Sequence, residues 1–440
     1  MTLLPRPAIP WTRVFLAIVA LNAIFLAVSI VPSCIPSDQF RGRILDALEE
    51  GVLVVDPDAD FRPWPMGDDC LVLQMIINQD QNLFEELAGP LVYHQEDWKN
   101  QCGILLEVAS TGERPKGLPY FYYTRYWHGN KALISGLAAG LDIRTVKATL
   151  KIAFVVSVFL LFSVAWRAKG SASVFGIVMA LTLGFVWAMN YLATSFVHGP
   201  ASCALVIGFA IILGRRRTSL SSEQLAMPYA VFGAVLAFLE YFSGLLPMAG
   251  AMLLPLTYFM TETLGTSPAA VRQRLGLAVK GVFVFVMGAA ITIILKQLLA
   301  IMVIGPESIQ AFVGNLVYYT QEHKSGDAGR LANAMMVAPD LASRWGHVLT
   351  FGHKLAAKLL FLSSGLACAV ATAWILMRPS ADRIGALVAS ALGVMIIAVW
   401  MGVFPIHTFG HGWFMIRLLA VPIAIGWALL LIQSLNVRNG

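Results

Sequence analysis

The chain is punctuated by apolar runs of roughly the 20 residues that a helix needs to cross a bilayer. The first extends from Trp11 to Val31, and others lie near 148–166, 173–190, 200–214, 227–241, 246–263, 279–304, 355–377, 384–404 and 413–433. With 58% of its residues hydrophobic and 13% charged, the chain has too little polar surface to enclose such runs as a soluble domain. The expected fold class is therefore an all-α polytopic membrane protein of about ten transmembrane helices. The net charge of +6 sits in the breaks between runs, so it points to no nucleic acid partner. The sequence contains no zinc spacing, phosphate loop or dinucleotide fingerprint.

The cations orient the chain. Arg6 precedes the first run and Arg13 stands at its start, and Arg167/Lys169, Arg215/Arg216/Arg217, Arg272/Arg274 with Lys280 at the edge of the next run, Arg378/Arg383 and Arg438 fall in or beside alternate breaks. Lys and Arg accumulate on the cytoplasmic side. Both termini are accordingly expected in the cytoplasm, in a multi-pass inner (plasma) membrane protein. The first run reads as an anchor; a cleaved signal peptide is the competing reading, for which the run is long. The expected division is a cytoplasmic N-terminus and first span (1–31), an extracytoplasmic loop domain with interfacial helices (32–146), spans two to seven (147–304), a second extracytoplasmic loop (305–354), and spans eight to ten with a cytoplasmic C-terminus (355–440). All eight histidines then fall on the outer side, which is where chemistry is expected.

The first outer segment carries Cys34, Cys70 and Cys102, in a compartment that permits disulfides. Three pairings are open; Cys70 with Cys102 is preferred because Cys34 lies beside the membrane. Gln39 to Gly51 places Phe40, Ile44, Ala47 and Leu48 on one helical face, the pattern of a helix lying along the membrane surface. Asp38, Asp68 and Asp69 are the outer acids best placed for general-base work. Their bland readings are an N-cap for Asp38 and plain solvation for the other two. In Tyr120–Gly129, the aromatic and cationic residues Arg125, Tyr126, Trp127 and His128 suit a lipid phosphate or a sugar, and equally an aromatic belt. Lys131 to Leu141 is too short to cross and reads as a re-entrant or interfacial piece.

Later in the chain, Glu240 ends a span at the outer face and Lys296 lies within one; ionisable groups at membrane depth are functional candidates by default. His407 and His411 stand four apart, which on a helix puts them on one face. Two histidines without a third ligand do not make a metal site, so a divalent cation is an open question and no metal ligand is assigned. Arg417, a turn or two farther in, invites an anionic partner such as the phosphate of a lipid carrier. The polar segment around Tyr318–Gly326 reads as either a lid or a connection.

An anchor span, a large outer loop with an acid near the membrane, many further spans and a second late outer loop resemble the GT-C superfamily of integral-membrane glycosyltransferases. The phrases RYWHG, EYFSGLLP and HTFGHGWFMIR look like those of bacterial membrane proteins with this fold. The resemblance implies a sugar donor carried on polyprenyl phosphate, inversion at the anomeric carbon, and a glycan, lipid or protein acceptor in the cell envelope. It also implies a catalytic acid in the first outer loop, which maps onto Asp38 or onto Asp68 and Asp69. No Asp-Glu pair follows the first span directly, a departure that leaves the base unassigned. In this reading Arg125 and Arg417 hold the donor phosphate, with Tyr126, Trp127, His128, Glu240, His407 and His411 around the substrate. The chief alternative is a transporter or flippase of a lipid-linked glycan, in which the same cations bind but no acid does chemistry.

Overall fold

A computed structural model describes residues 10–55, 66–78, 82–93, 100–113, 115, 117–124, 127–188, 191–215, 222–240, 244–320, 354–404 and 416–438. Among these, five helices are long and apolar enough to cross a membrane. They are α1 (Trp11–Ser33), α7 (Ile143–Arg167), α12 (Pro268–Val303), α15 (Ala381–Val403) and the segment Arg417–Leu435, most of which is α16 (Ala420–Arg438). Shorter apolar helices join them: α8 (Gly170–Ala188), α9 (Gly199–Gly214), α10 (Ser222–Leu239), α11 (Leu245–Met260) and α14 (Lys354–Met377). The chain is an all-α membrane protein.

Glycine allows the bundle's tightest approach. A Cβ on Gly233 would collide with the Phe285 carbonyl oxygen, and one on Gly288 with the Ala230 carbonyl oxygen, so α10 and α12 meet backbone to backbone. Lipid tails are as apolar as side chains, so helices in a bilayer associate through such close packing rather than through hydrophobic burial. Toward lipid, α1 presents Phe15, Leu16, Ile24 and Val28, and α12 presents Val286, Ile294 and Leu298.

A second, smaller core caps one end of the bundle. It is built by α2 (Asp38–Glu49), α3 (Met66–Ile77), α5 (Gln101–Thr111), α6 (Gly129–Ala138) and the start of α7, together with Phe196 and Val197. The short α4 (Leu83–Ala88) and an antiparallel pair, β1 (Leu91–Tyr93) with β2 (Tyr120–Tyr122), complete this layer; Val92 pairs with Phe121. Cys70 and Cys102 are disulfide-bonded and tie α3 to α5, with Cα atoms 5.1 Å apart. Cys34 is free and exposed.

The structure departs from the sequence-based expectations in four places. Phe40, Ile44 and Ala47 of α2 are buried in the second core, against α3, α5 and α7, so the apolar face expected on lipid is covered by protein. The piece expected to be re-entrant or interfacial is α6, buried between α1, α3 and α7. Arg272, Arg274 and Lys280, assigned to a loop, stand on α12, which is 36 residues long because Ser267 caps it and Pro268 occupies its first position. Within the last apolar run, Ile416–Leu419 form a 3-10 turn and not regular helix, ending three residues before Pro422.

The far end of the bundle has its own clamp. Arg274, buried on α12, pairs with Asp382 at the start of α15 at 2.5 Å, donates to the Tyr258 carbonyl of α11 from Nε (3.2 Å) and Nη2 (3.0 Å), and lies over the Tyr258 ring. The Tyr258 hydroxyl donates to the Asp382 carboxylate at 2.8 Å, so three helices share one satisfied network. Nearby, Glu262 accepts from the Ser171 amide at the start of α8 (3.0 Å). Arg167 and Lys169 therefore lie at this end, with Arg274 and Arg383.

Candidate functional site

The candidate residues that are described gather where the second core meets the bundle, in three neighbouring clusters. Arg125, Tyr126, His407 and His411 lie outside the described residues, as does most of the 305–354 segment beyond Thr320.

The first cluster separates two adjacent acids. Both sit in the first turn of α3, and a helix places consecutive side chains about 100° apart, so one points in while the other points out. Asp69 is wholly buried. Its carboxylate accepts from Lys147 of α7 at 2.5 Å, from the Phe196 amide at 2.8 Å and from the Ser195 hydroxyl at 3.1 Å. The Lys147 ammonium also lies over the Phe196 ring. With its lone pairs engaged and no access to a ligand, Asp69 is a tie between α3, α7 and the 195–198 turn. Asp68, by contrast, keeps a side chain 37% exposed, 3.8 Å from Nε2 of His198, which is buried at the start of α9. Asp38 is the most open of the three, its side chain 84% exposed and paired with Arg41 at 3.2 Å. Ser37 occupies the N-cap position of α2, with Asp38 in the first turn.

The second cluster is a buried group of cations. Lys296 of α12 donates to the carbonyls of Leu87 (2.9 Å) and Ala88 at the C-terminal end of α4, and its ammonium lies 5.7 Å from the Trp127 ring centroid. It is thus held by carbonyl oxygens and an aromatic face; it does not snorkel. Trp127 donates from its indole to the Thr292 carbonyl one turn back on α12 (2.8 Å), and Asn22 of α1 donates to the Thr292 hydroxyl (3.1 Å). Gln297 donates to the Thr124 carbonyl at 3.2 Å. Beside them Lys131 of α6 forms a buried ion pair with Glu86 of α4. Burial lowers the Lys131 pKa, and the Glu86 charge opposes that shift. Burial, reinforced by the Lys296 charge, holds His128 well below its ordinary value, so this histidine is neutral. One of its ring nitrogens, Nε2, lies 2.5 Å from the Tyr123 carbonyl. Ser29, Glu86, Trp127, His128 and Lys131 line a cavity of about 20 Å³. A single water needs about 10–15 Å³ on this measure, so the cavity fits one water and not a sugar.

The third cluster is Glu240 with Arg417. Glu240 follows α10 and its carboxylate accepts from the Leu245 amide and, at 2.9 Å, from the Leu246 amide. These are the first N–H groups of α11, where the helix dipole favours an anion. Arg417 is fully buried, and the Glu240 charge acts on it. Phe238 links this cluster to the second: it stacks on Phe25 at 4.0 Å, lies 6.2 Å from Trp127, and leaves no room for a Cβ at Gly129.

Sequence reasoning missed Glu86, Lys131, Lys147, Thr292 and Asn22. A lysine inside a short apolar run was the signal for Lys131; nothing local marked its partner. Among the described residues no group of three or more His, Cys, Asp or Glu side chains could hold a metal ion. Comparison of this chain with protein-family models, with characterised proteins and with solved structures finds no match.

Proposed function

We propose that this protein is a membrane glycosyltransferase of GT-C type, moving a sugar from polyprenyl phosphate to an extracytoplasmic acceptor with inversion. In this reading all ten apolar helices cross the bilayer. The Arg- and Lys-bearing end is cytoplasmic, and the second core stands on the opposite face. The observation that carries the proposal is the division of labour between Asp68 and Asp69. The smaller core at one mouth of the bundle holds one acid as a locked tie and leaves its neighbour accessible, in a partly enclosed setting beside a buried histidine. Such a setting suits a general base.

The step runs as follows. The Asp68 carboxylate takes the proton of the acceptor hydroxyl as that oxygen bonds to the anomeric carbon. The bond from this carbon to the phosphate oxygen breaks, and its electron pair leaves with polyprenyl phosphate. In this reading the departing phosphate is stabilised by Arg125 and Arg417, with the buried Lys131 and Lys296 raising the local potential. In the same reading Tyr126, His407 and His411 border the sugar, while Trp127, His128 and Glu240, all buried, support the site from behind.

The test is transfer from a polyprenyl-phosphate sugar in proteoliposomes. Wild type should transfer, and Asp68→Asn should retain donor binding while losing transfer by about 10²-fold or more, the scale of a lost general base. Full activity in Asp68→Asn, or passage of lipid-linked glycan across the bilayer that ignores this substitution, would replace the enzyme with a carrier.

A further inference from the structure

After α12 the chain turns at Gly305 and Pro306 and forms a further helix, α13 (Glu307–Thr320), which packs against α12. At 14 residues it is about 21 Å long, too short to cross a bilayer. Its residues sort by face. Ser308 is buried and Phe312 and Leu316 are half-buried, a row at spacing four that seats the helix on the protein. The adjacent row, Ile309, Val313 and Val317, is also at spacing four and is 41%, 49% and 49% exposed. At 100° per residue, Glu307 and the exposed Ala311 lie about 120° and about 160° round the helix from this row, and Glu307 is the one charged residue of the helix.

An open row of three β-branched residues needs an occupant, and the neighbouring surface identifies it. On α12, Ile294, Leu298 and Met302 are 56%, 48% and 76% exposed, the last of them one residue before the helix ends. These side chains face lipid if α12 crosses the bilayer, so the hydrocarbon boundary lies close to Val303. Three residues, 304–306, separate Val303 from Glu307, and the four steps of chain between them reach at most about 14 Å. The helix therefore starts within the thickness of one headgroup layer, and its apolar row continues the lipid-facing band of α12 around the corner.

The geometry points to α13 as an in-plane membrane helix whose Ile309, Val313 and Val317 row is sunk in the acyl-headgroup boundary of the leaflet on the second-core side, with Glu307 and Ala311 turned to water. Amphipathic helices bind this way, by burying apolar area in the interface. The inference is independent of the proposed transferase activity and needs only that α12 spans the bilayer.

Nitroxide labels test it in the full-length protein in liposomes. Cys34, Cys203 and Cys368 are replaced by serine, the Cys70–Cys102 disulfide is kept, and single cysteines are introduced as I309C, V313C, V317C and, for contrast, A311C. Dissolved oxygen concentrates in lipid and a nickel chelate stays in water. The expected result is an oxygen-to-nickel accessibility ratio several-fold higher at 309, 313 and 317 than at 311. High nickel accessibility along the apolar row would overturn the proposal, because the row would then face water. Low accessibility to both reagents would also overturn it, because protein would then cover the row, either residues 321–353 or a second copy. Melting of each labelled protein as for the unlabelled parent establishes that the fold is kept.

Discussion

Asp68 and Asp69 should respond oppositely to the same chemical change, and this contrast tests how the site is built. Asp69→Asn removes the charge from a wholly buried carboxylate that holds Lys147 at 2.5 Å. Breaking a buried ion pair from one side costs about 3–5 kcal/mol, because the remaining charge is left uncompensated. Two features put Asp69→Asn at the lower end. The new amide oxygen still accepts from the Phe196 amide, and the Lys147 side chain, 14% exposed, has a path to water along its apolar stem. The expected loss is about 3 kcal/mol, or a melting temperature lower by about 6 °C at 2 °C per kcal/mol. Lys147→Met alone should be at least as damaging, since it strands an anion that has no exposure. The double variant Asp69→Asn/Lys147→Met should be less destabilised than the sum of the singles by 1 kcal/mol or more, because no charge remains to be buried. Asp68→Asn, at an accessible position, should stay within about 0.5 kcal/mol of wild type. Thermal unfolding in one detergent, monitored by circular dichroism, reads all four. An Asp69→Asn protein that melts with wild type, or an Asp68→Asn protein that falls as far as Asp69→Asn, would refute the assignment of tie and open acid.

Three further outcomes follow from the site. Glu240→Gln and Arg417→Lys should each lower the melting temperature, the first because it weakens the α11 N-terminus and strands Arg417, the second because it loses the planar guanidinium contact; polyprenyl-phosphate sugar should raise the wild-type value, and its failure to do so would count against the phosphate role of Arg417. Replacing Cys70 and Cys102 with alanine should destabilise by about 3–4 kcal/mol, from the loop of 32 residues that the bond closes, and non-reducing peptide mapping should find the two linked in the parent. The pKa of His128 is held well below its ordinary 6.5, so the unfolded chain takes up a proton that the folded protein refuses; the stability from this group is complete above about pH 6.5 and is lost as pH falls below it. His128→Asn, which tolerates the positive φ of 57° at this position, should flatten the fall in melting temperature between about pH 7 and pH 5, and an unchanged slope would show that His128 is not the group refusing the proton.

Much of the fold was legible because its causes are local. An apolar run is read within a window of one helix, and such runs place the helices; Ser267 before Pro268 is an equally local signal that the reading of runs passes over, so α12 begins at Pro268 and not at 279. The acids were legible only as candidates. Asp68 and Asp69 are neighbours with the same side chain and the same helix turn, and nothing in the sequence separates them. The amphipathic pattern of α2 was read correctly as a pattern and assigned to the wrong partner, since lipid and a protein core select the same apolar stripe.

What the sequence determined by itself is that this chain must leave water: its apolar content and the spacing of its charges allow little else. What only the tertiary structure decided is which polar groups are paid partners of one another and which stay open. Asp69 meets Lys147 across 78 residues, Lys131 meets Glu86 across 45 and Lys296 meets the end of α4 across 209. The physical reason is that a side chain's hydrophobicity travels with the residue, whereas the state of a buried charge depends on what stands within about 4 Å of it, and that is set by the packing of distant segments.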